Sequence, residues 1–230
     1  MRVLFCICIG LTTLLCSGSD ARSGVLKRDA RALLTWENAT LLALGMGMAG
    51  AVYRWDNDLV GQAESVSIFE VTADPSNVYG SSTFNLPATF GLWLFSKAAR
   101  RPKLEAVSSD LLRALVWNQA LVGPIKHGVR RTRPNGSNRL SFPSGHTANA
   151  FAIAGVVNQH YGSRVGVPFY AWGVLVAGGR MEEDLHFLSD VVAGAAIGLV
   201  VGRSVSRTEP KTLSILPLPV PGGVALILKF

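Results

Sequence analysis

Apolar positions along the chain gather into six blocks, at roughly 38–53, 84–97, 107–126, 147–161, 167–178 and 190–204. Ala, Leu, Gly and Val dominate them, and each is longer than an ordinary strand, which predicts helices. Asn85-Leu86-Pro87 and Arg101-Pro102 punctuate the first half. Residues 54–83 read as a polar connection with a short helix around 60–70, and residues 129–145 as a loop rich in Arg, Asn, Ser, Gly and Pro. From about Thr212 the period changes. Leu213, Ile215, Leu216, Leu218 and Val220 lead into Pro221-Gly222-Gly223, and Val224 to Phe230 follow. Two β-prone runs around a Pro-Gly-Gly turn predict a hairpin. The fold class is therefore all-α: a compact bundle of about six helices with a short β-prone C-terminal tail.

The charges set the limits of these blocks. Glu37 to Arg54 encloses 16 uncharged residues, Arg164 to Arg180 encloses 15, and Asp190 to Arg203 and Arg113 to Lys126 enclose 12 each. A membrane span needs ~20 residues, so most blocks suit helices buried by protein. The N-terminus reads differently. Arg2, the apolar run Val3–Leu15 and the small residues Ser17, Gly18 and Ser19 have the form of an export signal over residues 1–19. Cys6, Cys8 and Cys16, the only cysteines, lie inside it. A processed chain then has no cysteine, which excludes disulfides, Cys-based zinc sites and a Cys nucleophile. The expected division is a leader at 1–19, a helical domain at 20–205 and the tail at 206–230.

Composition narrows the class further. In 230 residues, 49% are hydrophobic and 16% charged, which excludes a disordered chain. The 24 glycines follow no period, which excludes a collagen-like chain. The net charge of +7 points to anionic partners: phosphate groups, nucleic acid or an acidic membrane surface.

Three segments concentrate chemistry. In KHGVRRTRP (126–134), Lys126 and Arg133 stand seven apart, which would place both on one helix face, with Arg130 and Arg131 adding charge and Pro134 stopping the helix. The bland reading is a solvated basic face. In SFPSGHTANAF (141–151), Pro143, Ser144 and Gly145 form a turn, and His146 and Thr147 open an apolar helix. Free N–H groups, a hydroxyl and a glycine at a helix start make an anion site; the bland reading is an ordinary cap. In GRMEEDLHFLSD (179–190), Arg180 precedes His186 by six, and Asp190 follows it by four. One helical turn lets a carboxylate orient the imidazole; the bland reading is a surface pair. Together, three cations, a helix N-terminus and two histidines fall within 65 residues. The basic residues cluster with histidines rather than aromatics, which argues against nucleic acid.

The patterns K-x6-R-P, P-S-G-H and R-x5-H-x3-D, in this order, resemble the type-2 phosphatidic acid phosphatase superfamily, which includes bacterial lipid phosphatases, class A acid phosphatases and vanadium haloperoxidases. The resemblance covers Lys126 to Asp190. It implies that His186 is the nucleophile, that Asp190 orients it, that His146 is the general acid and then the base, and that Lys126, Arg133 and Arg180 bind the phosphate oxygens with help from Ser144 and Gly145. It implies no metal and no cofactor, with vanadate acting as a phosphate mimic. The activity implied is hydrolysis of phosphate monoesters or diphosphates through a phosphohistidine. Lipid phosphates such as phosphatidate, phosphatidylglycerophosphate or undecaprenyl diphosphate come first. Small phosphate esters in the periplasm, lipid phosphotransfer and vanadium-dependent halide oxidation are the alternatives. The expected setting is periplasmic or membrane-associated, facing the periplasm, with a membrane surface as partner. Two departures stand out. Gly179 replaces the usual Ser before the third-motif Arg, which removes one hydroxyl. The run Glu182-Glu183-Asp184 beside the nucleophile would either raise the pKa of His186 or screen the cations. His127 and His160 are read as outside the chemistry.

Overall fold

The computed structural model describes residues 19–59, 74–75, 77–206, 214–220 and 223–229, the first five and the two C-terminal segments by backbone alone. The predicted leader, its cysteines and the short helix expected around 60–70 lie outside these, apart from Ser19. Among the described residues, seven helices of 15 residues or more run in the order α1 (Ser19–Leu33), α2 (Trp36–Val52), α3 (Ser82–Ala98), α4 (Pro102–Val129), α5 (Gly145–Tyr161), α6 (Ser163–Glu182) and α7 (Leu188–Ser206). A 3-10 turn, Tyr53–Trp55, follows α2. Strands β1 (Ser214–Val220) and β2 (Gly223–Lys229) pair antiparallel, from Ser214 opposite Lys229 to Val220 opposite Gly223. The all-α reading holds.

Each predicted block became the apolar centre of one helix; the helices begin two to five residues earlier and end between one residue before and four residues after the block. Thr35 caps α2 by accepting from the Asn38 N–H at 3.3 Å. Pro102 opens α4, where its missing N–H is harmless. The helix not foreseen is α1. Its charged residues hide any apolar period, and an ion pair holds it: buried Asp29 takes both oxygens to Arg113 of α4, at 2.6 and 2.8 Å.

The core is formed where α7 lies against α5. Gly194, Gly198 and Gly202 are four apart on α7, and a Cβ on each would stand 2.4, 2.2 and 2.4 Å from the carbonyl oxygens of Ser144, Ala148 and Ala152 on α5. The two backbones therefore touch, as only small residues at that spacing allow. Ala148, Ala152, Val156, Ile197, Val201 and Val205 pack around this contact with Ala114 and Val122 of α4. One described helix, α7, is long and apolar enough to cross a membrane, yet 72% of that stretch is buried inside the protein. Apolar exposure lies elsewhere: Leu44 and Met48 of α2, Phe95 of α3 and Val167 of α6 are each exposed by 60% or more.

Candidate active site

The site forms where the N-termini of α5 and α7 meet. Ser144 caps α5: its Oγ accepts from the Thr147 N–H at 3.5 Å and hydroxyl at 3.0 Å. Its own N–H donates to the Asp190 carbonyl at 2.9 Å, tying the Pro-Ser-Gly-His turn to α7. Gly145 faces Lys126. A Cβ there would meet Val122 Cγ1 at 3.7 Å and Lys126 Cε at 3.8 Å, ordinary contacts, so protein packing does not demand the glycine beside this cation. His146 is backed by Gly80, where a Cβ would stand 2.7 Å from that of His146. Burial, then the charges of Arg180, His186, Lys126 and Arg133, push the His146 imidazole down to about 3.

His186 sits in the turn between α6 and α7, 3% exposed. Its N–H and that of Leu185 both donate to the Arg180 carbonyl at 3.1 Å. Its Nδ1 lies 3.7 Å from Asp190 Oδ2. That is ion-pair range but longer than a hydrogen bond, and among the described residues Nδ1 has no other partner. Burial pushes the His186 imidazole down to about 4 against the pull of Asp190. Asp190 is fully buried. Its Oδ2 accepts from Ser141 Oγ at 2.5 Å and the Phe187 N–H at 2.9 Å, and its Oδ1 from Arg131 at 2.8 Å. Burial raises its carboxyl, but the approach of His186, these hydrogen bonds and Arg131 outweigh it and hold the group below the ordinary value.

The three cations arrive from three elements. Lys126, in the last turn of α4, donates to the Leu140 and Ser141 carbonyls at 2.6 and 3.3 Å. Burial, then the nearby Arg133, lowers its ammonium to about 8. The shared helix face expected for Lys126 and Arg133 is not what forms. The helix stops at Val129, five residues ahead of Pro134, with Arg130 left-handed at φ 52°. Arg133 reaches the site from the loop, where its Nε donates to Asn138 Oδ1 at 3.1 Å. Arg180 is 1% exposed near the end of α6. It donates to Asn77 Oδ1 and pairs with Glu183, which itself accepts from Asn77 Nδ2 at 2.5 Å. The charge of Glu183 bears on both Arg180 and Arg133. Of the two effects expected from the acidic run, screening of the cations is the one seen; the leading influences on His186 are burial, Asp190, Lys126 and Arg133.

All eight sequence-selected residues converge here. The other histidines do not: His127 Nδ1 lies 2.8 Å from the Gly123 carbonyl of its own helix, and His160 Nε2 lies 2.8 Å from Asp110, about 24 Å from Lys126 along α4. Sequence reasoning missed Asn77 and Gly80, which left no pattern, and Asp56, Ser141 and Ser189. It also read Arg131 only as added charge in the basic segment. Arg131 is instead an inner ion pair between Asp56 and Asp190, at 2.8 Å each. Chemically, three cations and a helix N-terminus can hold a multiply charged oxyanion, while two uncharged imidazoles can attack and exchange protons.

Comparison with known proteins agrees with this geometry. The sequence model of the PAP2 superfamily matches residues 109–213. The lipid A 1-phosphatase of Porphyromonas gingivalis is 42% identical over 102 residues, covering 42% of this chain and 22% of that protein. The lipid A 4'-phosphatase of the same organism is 27% identical over 138 residues, covering 51% of this chain and 57% of that one. The chain thus spans about a fifth of the first relative's length and just over half of the second's. In fold it is similar to a transmembrane PAP2-type phosphatidylglycerolphosphate phosphatase from Bacillus subtilis, with a TM-score of 0.61 at 21% identity, over 74% of this chain and 94% of that one. The motifs and the family match coincide, and over residues 109–213 this chain matches the PAP2 superfamily.

Proposed function

We propose that this protein is a phosphatase acting on lipid phosphates through a phosphohistidine. The observation that carries the reading is the pair of histidines, half-buried His146 and buried His186, both held uncharged and facing one cluster of Lys126, Arg133 and Arg180. An uncharged imidazole is the nucleophilic form. Three fixed cations supply the charge stabilisation that phosphoryl transfer mainly requires.

In the first step the substrate phosphate occupies the cations, and its dianionic charge raises the pKa of His146 so that it carries a proton. His186 turns Nδ1 to Asp190, and its Nε2 lone pair attacks phosphorus. The P–O bond to the lipid breaks, and the leaving oxygen takes the proton from His146. Asp190 stabilises the cationic phosphoimidazole. In the second step His146 accepts a proton from water, the oxygen attacks phosphorus, the P–N bond breaks, and phosphate leaves. Ser144 and Gly145 line the oxyanion side through hydroxyl and N–H. The names of the two lipid A phosphatases and the exposed apolar residues of α2, α3 and α6 favour a substrate presented from a lipid surface.

The test is phosphate release from phosphatidate, phosphatidylglycerophosphate and a lipid A phosphate in mixed micelles, beside p-nitrophenyl phosphate in water. Release from a lipid without an added acceptor, abolished by His186→Ala with the fold kept, is the expected result. Turnover confined to the soluble ester would turn the reading to a small-ester phosphatase, and retained turnover in His186→Ala would overturn the mechanism.

A further inference from the structure

Asp190 is expected to work on His186, yet most of its contacts come from elsewhere. Behind it lies a closed polar group. Arg131 donates through Nη1 to Asp190 Oδ1 at 2.8 Å and to Ser189 Oγ at 2.6 Å, and through Nη2 to Asp56 Oδ2 at 2.8 Å. Asp56 accepts in turn from the Ser189 N–H at 2.9 Å and from the Ser189 hydroxyl. Asp56 and Ser189 are each 2% exposed, and the Arg131 side chain, at 16%, is the one member that solvent reaches. The Arg131 guanidinium lies over Phe187 at 3.9 Å and over Tyr53 at 4.9 Å, which fixes its plane.

The charges in this group matter as much as the geometry. Arg131 and Asp190 alone would neutralise each other, leaving the carboxylate little negative charge for an imidazole that turns cationic. With Asp56 the group of two carboxylates and one guanidinium carries a net charge of −1. Asp56 also takes one end of the Arg131 fork, so that Arg131 gives Asp190 a single hydrogen bond on the oxygen facing away from His186. The oxygen towards His186 is left to Ser141, the Phe187 N–H and the imidazole. Lys126 and Arg133 also face this carboxylate and pull against its negative charge.

We propose that Asp56 and Arg131 are positioning residues for the reaction: Arg131 orients Asp190, and Asp56 returns the negative charge that Arg131 would otherwise cancel. The proposal rests on the phosphohistidine reading. Asp56 stands 130 residues before His186 and belongs to no motif, so it ties the end of α2 to the chemistry.

The test uses Asp56→Asn and Asp56→Glu in the full chain. For Asp56→Asn we expect kcat to fall roughly tenfold to a hundredfold, the range for a misplaced or weakened supporting group, with KM kept within about twofold because Lys126, Arg133 and Arg180 are untouched. Asp56→Glu keeps the charge and should recover much of the loss. The second readout is the pKa of His186 by histidine NMR, which needs no turnover: it should move down in Asp56→Asn and stay near wild type in Asp56→Glu. An unchanged kcat in folded Asp56→Asn, or an unmoved His186 pKa, would overturn the proposal. If Asp56→Asn does not fold, Ser189→Ala decides, since it removes the shared hydroxyl and leaves both charges. A kcat lowered severalfold at constant KM supports the proposal, and wild-type kcat overturns it. Failure of the phosphatase reading itself would show as no lipid or ester turnover in wild type, with the NMR shift still readable.

Discussion

Replacing Gly194 by Ala adds one methyl at the place where the fold meets the chemistry. The new Cβ would stand 2.4 Å from the Ser144 carbonyl oxygen, which belongs to the residue that caps α5 and whose N–H holds the Asp190 carbonyl. Ordinary contact begins near 3.4 Å, and a backbone oxygen cannot swing aside as a side chain can. Relief therefore asks α7 to move about 1 Å from the turn bearing His146, a displacement large enough to cost on the order of a hundredfold in rate. Overpacking of this kind costs about 1–3 kcal/mol, occasionally more, while alanine over glycine inside a helix returns about 1 kcal/mol. A net destabilisation of up to about 2 kcal/mol lowers the melting temperature by up to about 8 °C at this chain length. Gly47→Ala is the internal control. It lies on an exposed face of α2, with no atom of the described residues within 4 Å of the added Cβ, so the helix term dominates and the melting temperature should rise. Thermal melts and phosphate release would be measured on both variants purified in mild detergent. If Gly194→Ala melts at or above wild type with full activity, the backbone contact between α5 and α7 is not what holds the site.

Other consequences follow from the buried charges. His186 and His146 are held uncharged, with pKa values pushed from 6.5 to about 4 and about 3, so the unfolded chain binds more protons between those values and 6.5. Stability should be full above pH 6.5 and fall as pH drops towards 4, by on the order of 3 kcal/mol for His186 alone; melts of a His146→Gln/His186→Gln double variant should lose most of that slope, and an unchanged slope would refute the assignment. Lys126, lowered to about 8, should lose its charge above that pH, so kcat/KM falls on the alkaline side. In Lys126→Arg that alkaline fall should vanish or move far up, because a guanidinium stays charged, and a pH–rate profile shows which. Asp29→Asn should loosen α1, lowering the melting temperature by several degrees while leaving KM alone, because its partner Arg113 lies about 20 Å along α4 from Lys126.

Much of the molecule was legible from residue order. The six apolar blocks needed only their period and length, since a helix buried by its neighbours is apolar all round. Lys126, Arg133, Ser144, Gly145, His146, Arg180, His186 and Asp190 could be named because each motif is local and its spacing carries the chemistry. The rest depended on contacts that no local spacing encodes. Lys126 and Arg133 meet because a loop pinned by Asn138 turns back, not because one helix face carries both. Gly194, Gly198 and Gly202 read as ordinary apolar helix until α5 is laid across them. Arg131 resembles its solvated neighbour Arg130 in sequence, and burial between Asp56 and Asp190 makes it a different group. Sequence by itself determined six of the seven long helices among the described residues and singled out the histidines, the carboxylate and the cations that meet at the site. Tertiary structure decided how those groups are charged and held, because burial sets a pKa and an ion pair only when distant segments close around it.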